Sequence, residues 1–280
     1  MIQEEAEEFD SEDAPAEKET LDDVTLRPGP NADTPEDVER YISPAIRELY
    51  DVYSYRHAAA ILANSFPDEL KEIEKALLTF RITQRDIGTP GGNESDMPKK
   101  FSRTLRPDGW VEARIQGDLH VRMHEYDEEF LDNGKVRKTK RPIGAGRVID
   151  NYIDGHKIDY VKGRVALDLE WNSKDQTFDR DLYALRVFHE CGLISAGVMV
   201  TRSAKLNPIF DVVPLLDKNG EVIVHKSGPK MGQPKPCKGK YGASTTWMGK
   251  LLYRLNAGRH GGCPVLVFGI TPKLITDWNS

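Results

Sequence analysis

The stretch Asp159-Tyr-Val-Lys162-Gly-Arg164-Val-Ala-Leu-Asp168-Leu-Glu170-Trp171 decides how this chain is read. From Val161 to Trp171 the residues alternate. Val161, Val165, Leu167, Leu169 and Trp171 are apolar, whereas Lys162, Arg164, Asp168 and Glu170 are charged. A period of two belongs to a strand with one buried face, which sets Asp168 and Glu170 on one side, about 7 Å apart. Lys162-Gly163 reads as a turn that can return Asp159 beside them. Like charges on one strand face repel unless a cation sits between them. An all-oxygen donor set suits a hard divalent ion, so the pattern predicts a Mg²⁺ site at a sheet edge rather than a solvated strand face.

The bulk numbers allow one sizeable domain. At 280 residues, with 39% hydrophobic and 30% charged residues, the chain has ample material for a core. No apolar run is long enough to span a bilayer and no leader pattern opens the chain, so a cytoplasmic protein without membrane contact is expected. Cys191, Cys237 and Cys263 are odd in number and lack any Cys-x-x-Cys spacing, which argues against a zinc site or a disulfide framework.

Charge is unevenly distributed. Residues 1–40 carry fifteen Asp or Glu against three Lys or Arg, a net of −12, whereas residues 41–280 carry thirty against thirty-six, a net of +6. The first 40 residues, poor in aromatic and β-branched side chains, are expected to form a disordered acidic tail. Residues 41–280 then form a single domain, with N-terminal helices over 41–84 and a basic C-terminal part over 222–276. Between Val222 and Thr276 there is no Asp or Glu, and the stretch holds nine Lys or Arg. Much of it is a Gly/Pro-punctuated loop bearing Lys226, Lys230, Lys235, Lys238 and Lys240, suited to following a phosphate backbone. A second basic segment carries Lys138, Lys140 and Arg141. DNA or RNA is the polyanion these runs predict.

Periodicity supplies the remaining elements. Ser43-Pro44 opens a helix whose apolar positions continue through Leu62, and Pro67 opens a second that reaches Phe80. Short strands are expected near 110–115 and 120–126, followed by a turn at Asp132-Asn-Gly134. A helix over 178–190, a buried strand over 194–201, a helix from Ser244 or Thr245 to Gly258, and a buried strand over 264–270 complete the pattern. The fold class is α/β (α+β), a central mixed sheet flanked by helices.

The order strand, strand, helix, strand, with Asp159, eight intervening residues and then Asp168-x-Glu170, resembles the PD-(D/E)xK nuclease core. It is most similar to the BglII and BstYI type of Type II restriction endonucleases. Two positions depart from that group: Asp168 stands where Glu is usual, and Glu170 where Gln or Lys is usual. The resemblance implies a restriction-endonuclease-like core and Mg²⁺-dependent cleavage of DNA at a short palindrome by a homodimer, with Mn²⁺ able to substitute. Asp159, Asp168 and the Leu169 carbonyl would hold the ion. Glu170 would orient or deprotonate a water, and Lys162 or Lys174 would offset negative charge. Asn172, Ser173 and Lys174 would reach base edges, since Asn suits adenine and Lys suits guanine. The helices over 43–80 are the candidate dimer interface. Two alternatives stay open: a structure-selective repair nuclease or resolvase, and a catalytically silent DNA-binding protein on the same fold.

Overall fold

The computed structural model describes residues 28–89, 96–242 and 244–278. Its centre is a six-stranded mixed sheet in the order β1-β6-β5-β4-β3-β2, formed by β1 (Tyr50–Tyr55), β2 (Val111–Phe130), β3 (Val136–Lys162), β4 (Val165–Glu170), β5 (Ala196–Arg202) and β6 (Val265–Ile270). Strands β4, β5 and β6 run parallel, and β1, β3 and β2 close the flanks antiparallel. Every residue of β5 and β6 is buried, the pattern of parallel strands covered on both faces.

One face is covered by α1 (Pro35–Tyr41), α2 (Pro44–Leu49), α4 (Pro67–Thr79), α5 (Gln84–Gly88) and α6 (Asp96–Leu105), which join Val165, Leu167 and Leu169 in one apolar cluster. The small helix α3 (Ala58–Ser65) sits among them, and α8 (Asn207–Phe210) caps the far end. The other face carries α7 (Thr177–Glu190) and α9 (Met248–Asn256), whose Phe178, Leu182, Leu185, Leu251 and Leu255 pack with Ala166 and Met199. Gly197 lets α7 approach closely, because a Cβ there would lie 2.8 Å from Leu185. That contact holds the second half of α7 against the start of β4 and β5.

Three expectations change. The helix predicted from Ser43 through Leu62 is two helices separated by β1: the aromatic, alternating Tyr50-Asp-Val-Tyr-Ser-Tyr55 favours a strand, and β6 offers it an unpaired edge. Helical structure is present before residue 40. Residues 1–27 lie outside the described residues, but Thr34 caps α1 by accepting from the Asp37 N–H, Pro35 occupies its first turn, and Val38 is buried. The two short strands near 110–126 form one long strand, β2, which pairs with β3 through several bulges.

The inner half of the β2–β3 ribbon belongs to the sheet, and its outer half stands off as an arm. From Leu119 to Phe130 this arm extends roughly 35 Å. Cross-strand pairs lace both of its faces: Glu128 with Lys138 on one, and Glu129 with Arg137 on the other, where Arg141 reaches both Glu125 and Asp127. Met123, Tyr126 and Phe130 are exposed on it.

Candidate active site

The two halves of the diagnostic stretch are separate strands. Lys162 pairs with Val165 across a two-residue turn in which Gly163 has φ +54°, and Tyr160 pairs with Leu167. The ladder stops there. Asp159 would be next, but its N–H donates to Asp168 Oδ1 at 2.7 Å instead of to a backbone carbonyl. The candidate site thus forms where β3 parts from β4, at the carboxyl end of a parallel strand, and it brings Asp159 and Asp168 into contact as the sequence predicted.

The turn also reverses which face each residue occupies. Directly paired residues share a face, so Lys162 lies with Val165 on the side of α4, whereas Val161 packs with Ala166 on the side of α7. Lys162 Nζ is 2.6 Å from Glu72 Oε1, and Glu72 also accepts from the Trp110 indole at 2.9 Å. Lys162 therefore faces away from Asp159 and Asp168, correcting the single-strand alternation that had placed it beside them. Arg164 leaves that face too: it sits in the turn, donating to Ser195 Oγ and the Gly192 carbonyl.

A fourth carboxylate joins the cluster. Asp181 faces inward from α7, 2% exposed, in the buried stripe of Phe178, Leu182 and Leu185. An acid in the first turn of a helix is accounted for by the dipole, so sequence reasoning did not place Asp181 in the site. The signal was an acid three residues after Phe178, on the apolar face of the helix. Asp179 does face outward, paired with Arg254 at 3.0 Å and with Arg259.

The electrostatics follow from burial and crowding. Burial holds the Asp168 carboxyl well above the usual range, and Asp159 and Glu170 push it further. Burial raises Asp181 likewise, with repulsion from Asp168 and Glu170 added. Asp159 is raised by burial and partly relieved by the Leu169 backbone N–H. Glu170 is raised by burial to about 7, against the counteracting Ser173 hydroxyl and Arg180.

Among the described residues, no three His, Cys, Asp or Glu side chains converge closely enough to chelate one ion in the geometry present. The donor chemistry nevertheless fits a hard cation. Asp168 Oδ2, Glu170 Oε2 and Asp181 Oδ2 are all buried without a hydrogen-bond partner. Such oxygens are costly in a protein interior unless a proton or cation satisfies them.

The predicted DNA contacts fare unevenly. Lys226, Lys230 and Lys235 are exposed on the Gly/Pro-rich excursion, and Lys140 is exposed on the arm. Lys138 and Arg141 are neutralised by Glu128, and by Glu125 and Asp127. Lys238 pairs with Asp211 at 2.9 Å. Lys240 is half-buried, donates to the Ile87 and Thr89 carbonyls, and is lowered to about 8 by desolvation. The Asn172 amide donates to the Lys240 carbonyl, and the Ser173 backbone is tied to Thr246 in both directions. These two residues thus anchor the 240–246 segment. Behind them Arg202, 1% exposed, donates to the Trp171 and Thr246 carbonyls and to Thr245 Oγ1. Lys174 is exposed and lines a cleft of about 470 Å³ with Gln176, Thr177 and Arg180.

A carboxylate cluster at the splayed end of a mixed α/β sheet defines a restriction-endonuclease-like core. The chain belongs to the BglII/BglIII restriction endonuclease family, whose model matches residues 50–270. That span begins at the first residue of β1 and ends at the last residue of β6, so the match covers the whole sheet. Membership makes the chain a DNA-cleaving hydrolase by family. No curated protein matches it. Among the described residues, no helix is long and apolar enough to cross a membrane.

Proposed function

We propose that this chain is a Type II restriction endonuclease that hydrolyses phosphodiester bonds in double-stranded DNA at a short palindrome. The observation that carries this reading is the junction of Asp159 with Asp168 where β3 leaves β4, inside the span matched by the family. Asp159, Asp168 and the Leu169 carbonyl are the groups that would hold Mg²⁺ or Mn²⁺, with the free oxygens of Glu170 and Asp181 beside them. When bound, such an ion neutralises charge on the phosphate and acidifies a coordinated water.

The chain's own residues supply the rest. The Asp159 backbone N–H holds Asp168 in place and so fixes the spacing of the oxygens these two acids would offer to the ion. Glu170, at the end of β4, orients the attacking water and accepts its proton. The walls of α7 and β5 keep bulk water from the cluster, strengthening every charge interaction inside it. Asn172 and Ser173 act by fixing the 240–246 segment beside the cut rather than by reading bases.

A homodimer across the palindrome is part of this reading. Helices α2 and α4 turn Ile46, Ile73 and Leu77 into the core, so their outer faces are the candidate contact within residues 43–80.

The test is a digest of unmethylated plasmid with Mg²⁺, followed by sequencing of the ends. Discrete fragments with common termini support the restriction reading. Cutting confined to junctions or flaps favours a structure-selective nuclease, and salt-dependent binding without cutting favours a silent DNA-binding protein. Asp159→Ala should abolish cleavage and leave DNA binding intact, and cleavage surviving that change would refute the site.

A further inference from the structure

Asp159, Asp168, Glu170 and Asp181 lie near enough to raise one another's charge cost, so a phosphate can approach only if cations offset them. A metal ion held there would be one source. Of the two lysines that the sequence offered for this task, Lys162 is engaged on the opposite face with Glu72, which leaves Lys174. Arg180 is in the right place. It follows Thr177 and precedes Asp181 in the opening turn of α7, with its side chain exposed. Among the described residues it makes no ion pair, and its one hydrogen bond is to Thr177 Oγ1 at 3.4 Å.

Helix stability does not explain a cation there, because the N-terminal end of a helix is the end that favours anions. Two clefts meet at this side chain. One, of about 440 Å³, contains Arg114, His156 and Lys157, and the other, of about 470 Å³, contains Lys174. Arg180 lines both. Lys174, like Arg180, has no ion-pair partner among the described residues, and the sequence had already placed it next to the catalytic strand. On the other side, Arg114 pairs with Asp154 and Lys157 with Glu112, which leaves Arg180 the cation without an ion pair between the two clefts, its charge felt by Glu170 and Asp181.

We propose that Arg180 grips the DNA phosphate at the cut, and that the two clefts it separates receive the same strand on either side, with Lys174 holding the next phosphate. This rests on the nuclease reading and deepens it. An arginine suits the task because its planar fork donates two parallel hydrogen bonds to a phosphate, whereas a lysine acts as a point charge.

The experiment uses the full-length chain and a linear plasmid fragment spanning a mapped cut. Affinity is measured in EDTA across a salt series, and single-turnover cleavage is measured with Mg²⁺. Losing one phosphate contact lowers the slope of log affinity against log salt by about 0.9. Arg180→Ala should lower the slope by about that amount and slow cleavage about 100-fold, the scale set by one lost transition-state donor. Arg180→Lys should restore the slope but not the rate. Lys174→Ala should lower the slope similarly while slowing cleavage less than tenfold. Because Arg180 is exposed, these variants should melt with the wild type, and Arg180→Gln gives a second neutral replacement. A wild-type slope and wild-type rate in Arg180→Ala, with Asp159→Ala inactive in parallel, would overturn this assignment and leave the nuclease reading standing. A wild type that binds but never cuts would sink that reading, while the slope still decides whether Arg180 touches phosphate.

Discussion

Replacing Glu170 with glutamine should make the metal-free protein more stable, and by an amount that depends on pH. Glu170 is raised from its ordinary 4.5 to about 7, chiefly by burial. A carboxyl whose folded value lies above its unfolded value favours folding in its protonated form. Its contribution is complete below about 4.5 and is lost as pH rises through about 7. At about 1.4 kcal/mol for each pH unit between the two values, the loss amounts to roughly 3 kcal/mol by pH 8. Glutamine cannot ionise and avoids the loss. For a chain of this size, about 2 °C per kcal/mol turns that into a melting point roughly 6 °C higher for Glu170→Gln at pH 8 in EDTA. At pH 5 the difference should fall below about 1 kcal/mol. Saturating Mg²⁺ should then stabilise the wild type more than the variant, since the ion binds only the folded state. The assay is thermal unfolding followed by circular dichroism over pH 5 to 8, with and without Mg²⁺. A variant that melts at or below the wild type at pH 8 in EDTA would refute the account of a strained carboxylate cluster.

Asp181→Asn should also raise the metal-free melting point at pH 8, by a few degrees, and weaken Mn²⁺ binding measured by calorimetry; unchanged Mn²⁺ affinity would remove Asp181 from the site. Lys162→Ala should leave single-turnover cleavage within about threefold of wild type and cost at most about 1 kcal/mol, as a partly exposed pair with Glu72; a hundredfold slower cut would return Lys162 to the catalytic machinery. Arg202→Met should cost about 2–4 kcal/mol in urea unfolding, because the Trp171 and Thr246 carbonyls lose their buried donor. Native protein should react with a thiol reagent at Cys191 alone, with Cys237 and Cys263 becoming reactive on denaturation.

Much of the site was legible because strand periodicity is local. Asp168, Glu170 and the returning Asp159 needed only the alternation and the Gly163 turn. The parity of that turn was less visible: reading one strand across it put Lys162 with the carboxylates, where pairing with Val165 sends it to the opposite face. Asp181 was hidden for another reason. In sequence it looks like an N-terminal helix charge, and only its burial in the stripe of Phe178, Leu182 and Leu185 shows that it faces inward. The basic runs were legible only as charge, because counting cannot see partners. Lys138, Arg141 and Lys238 meet carboxylates distant in sequence or across a ladder, and Arg254 is taken up by Asp175 and Asp179. Strand β1 was masked by its aromatic spacing, which matches a helix until β6 offers a partner.

The two-residue connection between β3 and β4 has a consequence for how this enzyme can fail. Side chains change face with every step along a strand, so adding one residue there would slide Asp159 out of step with Asp168. The sheet would retain nearly all of its packing, and the protein would still look native to most probes. Loop length at one exposed bend therefore acts as a counting device: it meters catalytic competence separately from foldedness.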